Sequence, residues 1–209
     1  MKKQGNQTYV LSSPVPIIST ASIVGPKEKD GPLSKSFDKC LEDEFWGEKT
    51  WEKAESKIIR ETSLLAISKS GLPSSNIDFI FAGDLLNQCI SSSFGLRESN
   101  IPFFGVFGAC STFVESLILG SMTVDGNFAS NVLCAASSHF CSAEKQFRFP
   151  LEYANQRPKS ATWTVTGSGA FLLTTEEKAK EWSVEPFAKI TGVTTGKIVD
   201  FGVKDSMNM

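Results

Sequence analysis

The feature that most constrains this chain is an alternation of short apolar segments with stretches of helical periodicity. Residues 15–24 (VPIISTASIV) are rich in β-branched side chains and stop at Gly25-Pro26, the pattern of a strand closed by a turn. Residues 77–82 (IDFIFA), 103–107 (FFGVF) and 132–136 (VLCAA) are further apolar runs, and residues 163–174 (WTVTGSGAFLLT), opening on Trp163, read as the last strand of this set. Between the first two runs Trp51, Ala54, Ile58 and Leu65 recur at helical spacing. Glu52, Lys53, Glu55, Lys57, Arg60 and Glu61 are assigned to the opposite, solvent-facing side, and Gly71 and Pro73 close the helix. Residues 85–97 and 111–124 also read as helices, the second apolar on most sides. Apolar strands alternating with helices imply a mostly parallel sheet covered on both faces.

The remaining segments are less regular. Residues 1–14 are polar and read as a flexible arm; residues 26–50 form a long excursion with a short helix expected around 37–41. Residues 189–199 (KITGVTTGKIV) read as one more strand, and with Asp200 they loosely echo residues 15–24 and the loop that follows. No stretch reaches the roughly 18–20 apolar residues that span a bilayer. A net charge of −2 argues against nucleic acid or an anionic membrane surface as partner. Five cysteines without CxxC spacing, and no signal-type N-terminal run, argue for reduced thiols in a cytoplasmic compartment.

The most informative local pattern is FFGVFGACSTF, residues 103–113: a buried strand, small residues, a cysteine, then a helix. Small neighbours are what a sharp strand-to-helix turn needs to raise a nucleophile above a sheet. A helix N-terminus there favours the thiolate of Cys110. The alternative is that Cys110 is a small buried hydrophobe. Cys40, Cys89, Cys134 and Cys141 read as structural, with no zinc spacing.

Three polar side chains follow strands and are expected to converge at the carboxyl edge of the sheet: Asp84, Cys110 and His139. Asp84 reads equally as a helix cap or as a contact to a ligand or a Ca²⁺ ion. His139 reads as a ligand contact or as a satisfied structural residue. Arg97, Arg148 and Arg157 are candidates to balance an anionic ligand, or ordinary surface arginines.

The stretch GACSTF resembles the nucleophile motif of thiolases and of ketoacyl-carrier-protein synthase III enzymes. VLCAASS is similar to the fourth strand of their N-terminal half, and VTGSGAFLLT to their GDGAGAVLL strand, in the same order and at the same spacing. The resemblance implies a thiolase-like, three-layer α/β/α arrangement. Its sheet would be five-stranded, mixed and mostly parallel, and would form the first of two duplicated halves around a central nucleophile helix. Ser168 stands where those enzymes carry an aspartate. Their catalytic His–His or His–Asn pair belongs to the second half, and this chain holds one histidine.

The blocks VLSSPVPIISTASIVGPKEKDGPL, WEKAESKIIRE, DFIFAGDLLNQ, FGVFGACST and SATWTVTGSGAFLLT resemble, more closely, the stage V sporulation protein AD family of endospore-forming bacteria. That resemblance implies a sporulation role: binding dipicolinic acid, or its calcium chelate, for uptake into the developing spore on a non-catalytic scaffold. The expected ligand contacts are Asp84, Cys110, His139 and Arg97. No cofactor is expected beyond a Ca²⁺ bound with the ligand. The expected partners are membrane proteins of the same operon, and the expected location is the cytoplasmic side, peripheral to the spore inner membrane. The family's chains are longer, so residues 15–185 are expected to form the first half and 186–209 to begin the second. A homodimer is expected at full length, through the edge strand at 103–107. The alternative is an acyl-CoA or acyl-carrier-protein condensing enzyme with Cys110 as nucleophile.

Overall fold

The computed structural model describes residues 1–147 and 164–199. Its elements run β1 (Lys2–Gln4), β2 (Thr8–Val24), α1 (Pro26–Lys29), β3 (Lys39–Cys40), α2 (Trp51–Ser70), β4 (Phe79–Gly83) and α3 (Ile90–Leu96). They continue with β5 (Phe103–Gly105), α4 (Thr112–Asp125), β6 (Asn131–Ser138), α5 (Phe140–Phe147), β7 (Gly167–Thr174), α6 (Glu176–Glu181) and β8 (Ala188–Thr194). One sheet holds all the strands, with the central order β2-β7-β6-β4-β5. β6, β4 and β5 pair in parallel, while β7 runs antiparallel between β6 and β2. Four of these five strands therefore point the same way, so their carboxyl ends share one edge.

The alternation along each strand divides the core in two. Ile80, Ala82, Leu133, Ala135, Ala170 and Leu172 face α2, packing on Ile59, Ala66 and Ile67. Phe81, Val132, Cys134 and Leu173 face the other way, with Val124 of α4. α2 is held at both ends by the devices its sequence announces. The Thr50 hydroxyl accepts from the Lys53 amide at 3.3 Å, and Gly71 ends the helix at φ 74°.

Helix α4 inverts the usual pattern. Its small and polar residues Thr112, Ser116, Gly120 and Ser121 are buried, while Val114 and Leu119 are exposed. The sheet-facing side is small because the approach is close: a Cβ on Gly120 would lie 2.7 Å from Cys134 Sγ.

Three expectations need correction. Residues 1–14 are not a free arm, because β1 and the first part of β2 form a hairpin turned at Gly5 (φ 67°). Residues 8–17 also pair with β8. Backbone pairing on both edges, together with burial of Leu11 and Val15, outweighs the polar composition. The helix expected around residues 37–41 is instead β3, drawn onto the open edge of β2, where Leu41 N donates to Val24 O at 2.8 Å. Asp38 anchors this segment by accepting from Ser22 N at 2.8 Å and from Lys69 Nζ at 2.7 Å. Glu55, assigned by periodicity to the solvent face of α2, is fully buried. The segment 186–199 adds β8 to the same sheet through β2. Trp163, Asp200, Arg148 and Arg157 lie outside the described residues.

Candidate functional site

A cleft of about 650 Å³ opens at the shared carboxyl edge, within the size range of small-molecule sites. Its walls include Asp84 and Leu85 after β4, Ala109, Cys110 and Thr112 before and in α4, Ser137 and Ser138 of β6, and Gly167–Gly169 of β7. Gly83 makes this convergence possible. A Cβ there would sit 1.8 Å from the Val106 carbonyl oxygen. Without one, Val106 N reaches the Ala82 carbonyl at 2.9 Å and the Cys-bearing loop closes onto β4.

Cys110 occupies a 3-10 turn at Ala109–Ser111, directly before α4, and is exposed to the cleft. The turn is sharp because Ala109 takes φ 49°, a conformation costly to a non-glycine residue and common at functional turns. The Ser111 hydroxyl donates to Gly108 O at 2.6 Å and also contacts Glu115. Cys110 thus stands exposed at the turn before α4 and is not a buried hydrophobe. Burial pushes the thiols of Cys89 and Cys134 up, and burial with Glu44 pushes that of Cys141 up. With Ellman's reagent at pH 8, Cys110 is expected to account for the fast phase, with Cys89 and Cys134 reacting only on unfolding. A fast phase that survives Cys110→Ser would contradict this placement.

Asp84 lies at the floor of the cleft and is 1% exposed. Its Oδ1 accepts from Leu86 N at 2.9 Å, and its Oδ2 from Ser92 N and Oγ at 2.7 and 2.6 Å. These bonds hold a loop in which Gln88 and Cys89 both have positive φ, at 61° and 54°. Asp84 is therefore first the organiser of this wall; it is not the N-cap of α3, a position held by Cys89, although its Oδ2 accepts from Ser92 N in the first turn of that helix.

His139 does not converge with Asp84 and Cys110, contrary to the expectation. β6 runs on to Ser138, so Ser137 and Ser138 take the edge while the imidazole turns back beneath residues 26–50. It is fully buried, with Nε2 2.7 Å from Glu44 O and Nδ1 accepting from Cys141 N at 3.2 Å. Glu44, His139 and Cys141 bring potential metal-ligand atoms within 4.8 Å of one another. Both imidazole nitrogens are already engaged, so an ion there would have to displace at least one of these hydrogen bonds. Arg97 is likewise outside the cleft. It caps α3, lies 3.5 Å from Glu98 and stacks over Phe94. No lysine or arginine lines the cleft among the described residues.

Two residues at the cleft were not among the expected ligand contacts. The Ser168 hydroxyl is buried in the cleft wall without a hydrogen-bond partner. Behind the wall, Glu55 accepts from Ser137 Oγ at 3.2 Å and from Ser142 Oγ at 2.9 Å. Burial, and then the nearby Asp84 charge, push its carboxyl up to about 8. The buried Ser91 hydroxyl lies near enough to ease that shift, although it makes no well-formed hydrogen bond. A glutamate flanked on α2 by Ala54, Ile58 and Ile59 was the available signal.

Residues 5–209 match the family described as stage V sporulation protein AD. The chain belongs to that family. It is 42% identical over all 209 residues to stage V sporulation protein AD of Bacillus subtilis (strain 168), and it spans 60% of that relative's length. It is therefore related to a sporulation protein, and its fold is thiolase-like. Human mitochondrial 3-ketoacyl-CoA thiolase in complex with CoA superposes with a TM-score of 0.57 at 13% identity, covering 87% of this chain and 70% of the other. The 3-oxoacyl-(acyl carrier protein) synthase III of Aquifex aeolicus gives 0.53 at 17% identity, covering 78% and 54%. At such identities the likeness concerns the fold alone.

Proposed function

We propose that the protein is a non-catalytic carrier that binds dipicolinic acid for uptake into the developing spore. The observation that carries this reading is the cleft itself: an exposed Cys110 and a buried, unpartnered Ser168 hydroxyl share its walls, while the one histidine of the sequence faces elsewhere with both nitrogens used. A small planar ring suits a cleft of this size, where Phe37, Phe113 and Phe171 offer apolar surface and the unpartnered Ser168 hydroxyl can donate to a carboxylate. With no cation among the described lining residues, the calcium chelate suits this cleft better than the bare dianion, because calcium already balances the carboxylates. Asp84 has no free oxygen to spare beyond one lone pair on Oδ1, so the ion arrives with its ligand. In this reading Cys110 is a contact and not an acyl acceptor.

Handover would go to membrane proteins of the same operon, at the cytoplasmic side of the spore inner membrane. The described residues contain no helix long and apolar enough to cross a membrane. The open edge of β5, with Phe104 exposed beside Phe81 and Phe79, is the surface for pairing two copies. The bare aliphatic side of α4 is the surface for a second half of the fold.

Calorimetric titration of the protein with dipicolinate, with and without Ca²⁺, tests the reading. Saturable binding that tightens with Ca²⁺ and weakens in both Cys110→Ala and Ser168→Ala is expected. Each substitution should cost about fivefold or more in affinity. A second reading, an acyl-transferring enzyme, is favoured by the exposure of Cys110 alone. Absence of dipicolinate binding together with thioester formation at Cys110 from an acyl-CoA would replace the carrier with that enzyme.

A further inference from the structure

A second cavity lies on the α2 face of the sheet, near the amino ends of the parallel strands, and shares no lining residue with the cleft. It measures about 320 Å³ and runs between α2, α3 and the β4–β6 pair. Its floor is aliphatic: Ile67, Ile80, Leu96, Ile101 and Leu133. Into this floor projects Ser63, 3% exposed, whose hydroxyl has no hydrogen-bond partner. A serine inside a helix ordinarily returns its hydroxyl to a carbonyl one turn back, as Thr62 does to Ile58 O at 2.8 Å and Ser116 does to Thr112 O at 2.9 Å. Ser63 does not, and a buried hydroxyl left alone costs free energy that a partner would recover.

We infer that this cavity is a binding site for a small neutral aliphatic molecule carrying one hydrogen-bonding oxygen, an alcohol being the simplest case. Neutrality follows from the mouth, where Arg60 pairs with Glu61 at 2.9 Å and Glu98 with Arg97 at 3.5 Å, so that each charge there already has its counter-charge. The aliphatic lining, without any aromatic ring, suits a flexible chain. An engineered apolar cavity of ~150 Å³ holds benzene. By that measure this cavity takes roughly six to twelve non-hydrogen atoms. The single orphan hydroxyl fixes where the oxygen of the ligand goes.

The probes are 1-hexanol and n-hexane, titrated into protein carrying labelled isoleucine methyl groups. Saturable shifts confined to Ile67, Ile80 and Ile101 are expected. Ser63→Ala keeps the space and removes the hydroxyl, so it should weaken 1-hexanol about three- to tenfold while leaving n-hexane unchanged. Ser63→Leu fills the space and should abolish both. If Ser63→Leu fails to fold, the alcohol-to-alkane ratio in Ser63→Ala decides alone. Shifts that do not saturate, that spread to isoleucines elsewhere, or that respond equally for both probes in Ser63→Ala would overturn the site.

Discussion

Replacing Glu55 by glutamine is expected to stabilise the protein by about 2–4 kcal/mol at pH 8 and to change little at pH 5. The carboxyl is fully buried among Ser137, Ser142 and the Asp84 charge, and its value rises from 4.5 to about 8. Between those two values the folded protein holds a proton that the unfolded chain has released. Stability from this group is therefore complete below about pH 4.5 and is lost steadily as pH rises toward 8. Glutamine keeps the shape, still accepts from one serine, donates to the other and never ionises. Urea unfolding at pH 5, 6.5 and 8 checks this. Parallel pH profiles for the wild type and the variant would show that Glu55 does not titrate in this range. Because Ser137 lines the cleft and bonds Glu55, the wall of the proposed ligand site is tied to the same proton.

Asp84→Ala is expected to cost about 3–4 kcal/mol. Three donors lose their acceptor at a site 1% exposed, and two left-handed residues lose the carboxylate that holds their loop. Asp84→Asn should cost less, about 2 kcal/mol, because an amide can still accept from Leu86 while its NH₂ opposes the Ser92 donors. That penalty should shrink at pH 8, since removing the Asp84 charge lets Glu55 ionise more readily. Chemical unfolding of the three proteins at pH 6 and pH 8 measures both effects. A cost below ~1 kcal/mol for Asp84→Ala would mean that the loop stands without the carboxylate. The consequence for binding work is direct: loss of ligand in Asp84→Ala would report a collapsed wall. Cys110→Ala and Ser168→Ala are the informative substitutions.

Much of this was legible in the residues. Short apolar strands alternating with helices dictate a covered sheet, because each segment must bury its apolar sides. Small residues around Cys110 dictate a sharp turn that raises the thiol. The ends of α2 are written in Thr50 and Gly71, because capping is local chemistry.

What local pattern could not decide is what each side chain meets across the fold. Residues 1–14 look solvated until β8, almost two hundred positions away, supplies their hydrogen bonds. Glu55 sits in a row of charges, and only the packing of α2 against β6 and the Asp84 loop shows it to be buried. His139 follows a strand as Asp84 does, yet β6 extends to Ser138 and hands the edge to serines, so the imidazole turns away. Sequence determined the five central strands, the helices α2 and α4, and where the thiol stands, since those follow from neighbours along the chain. The tertiary structure alone decided which polar groups share the cleft, because that depends on strand order and register, and on a glycine at position 83 that lets two loops touch.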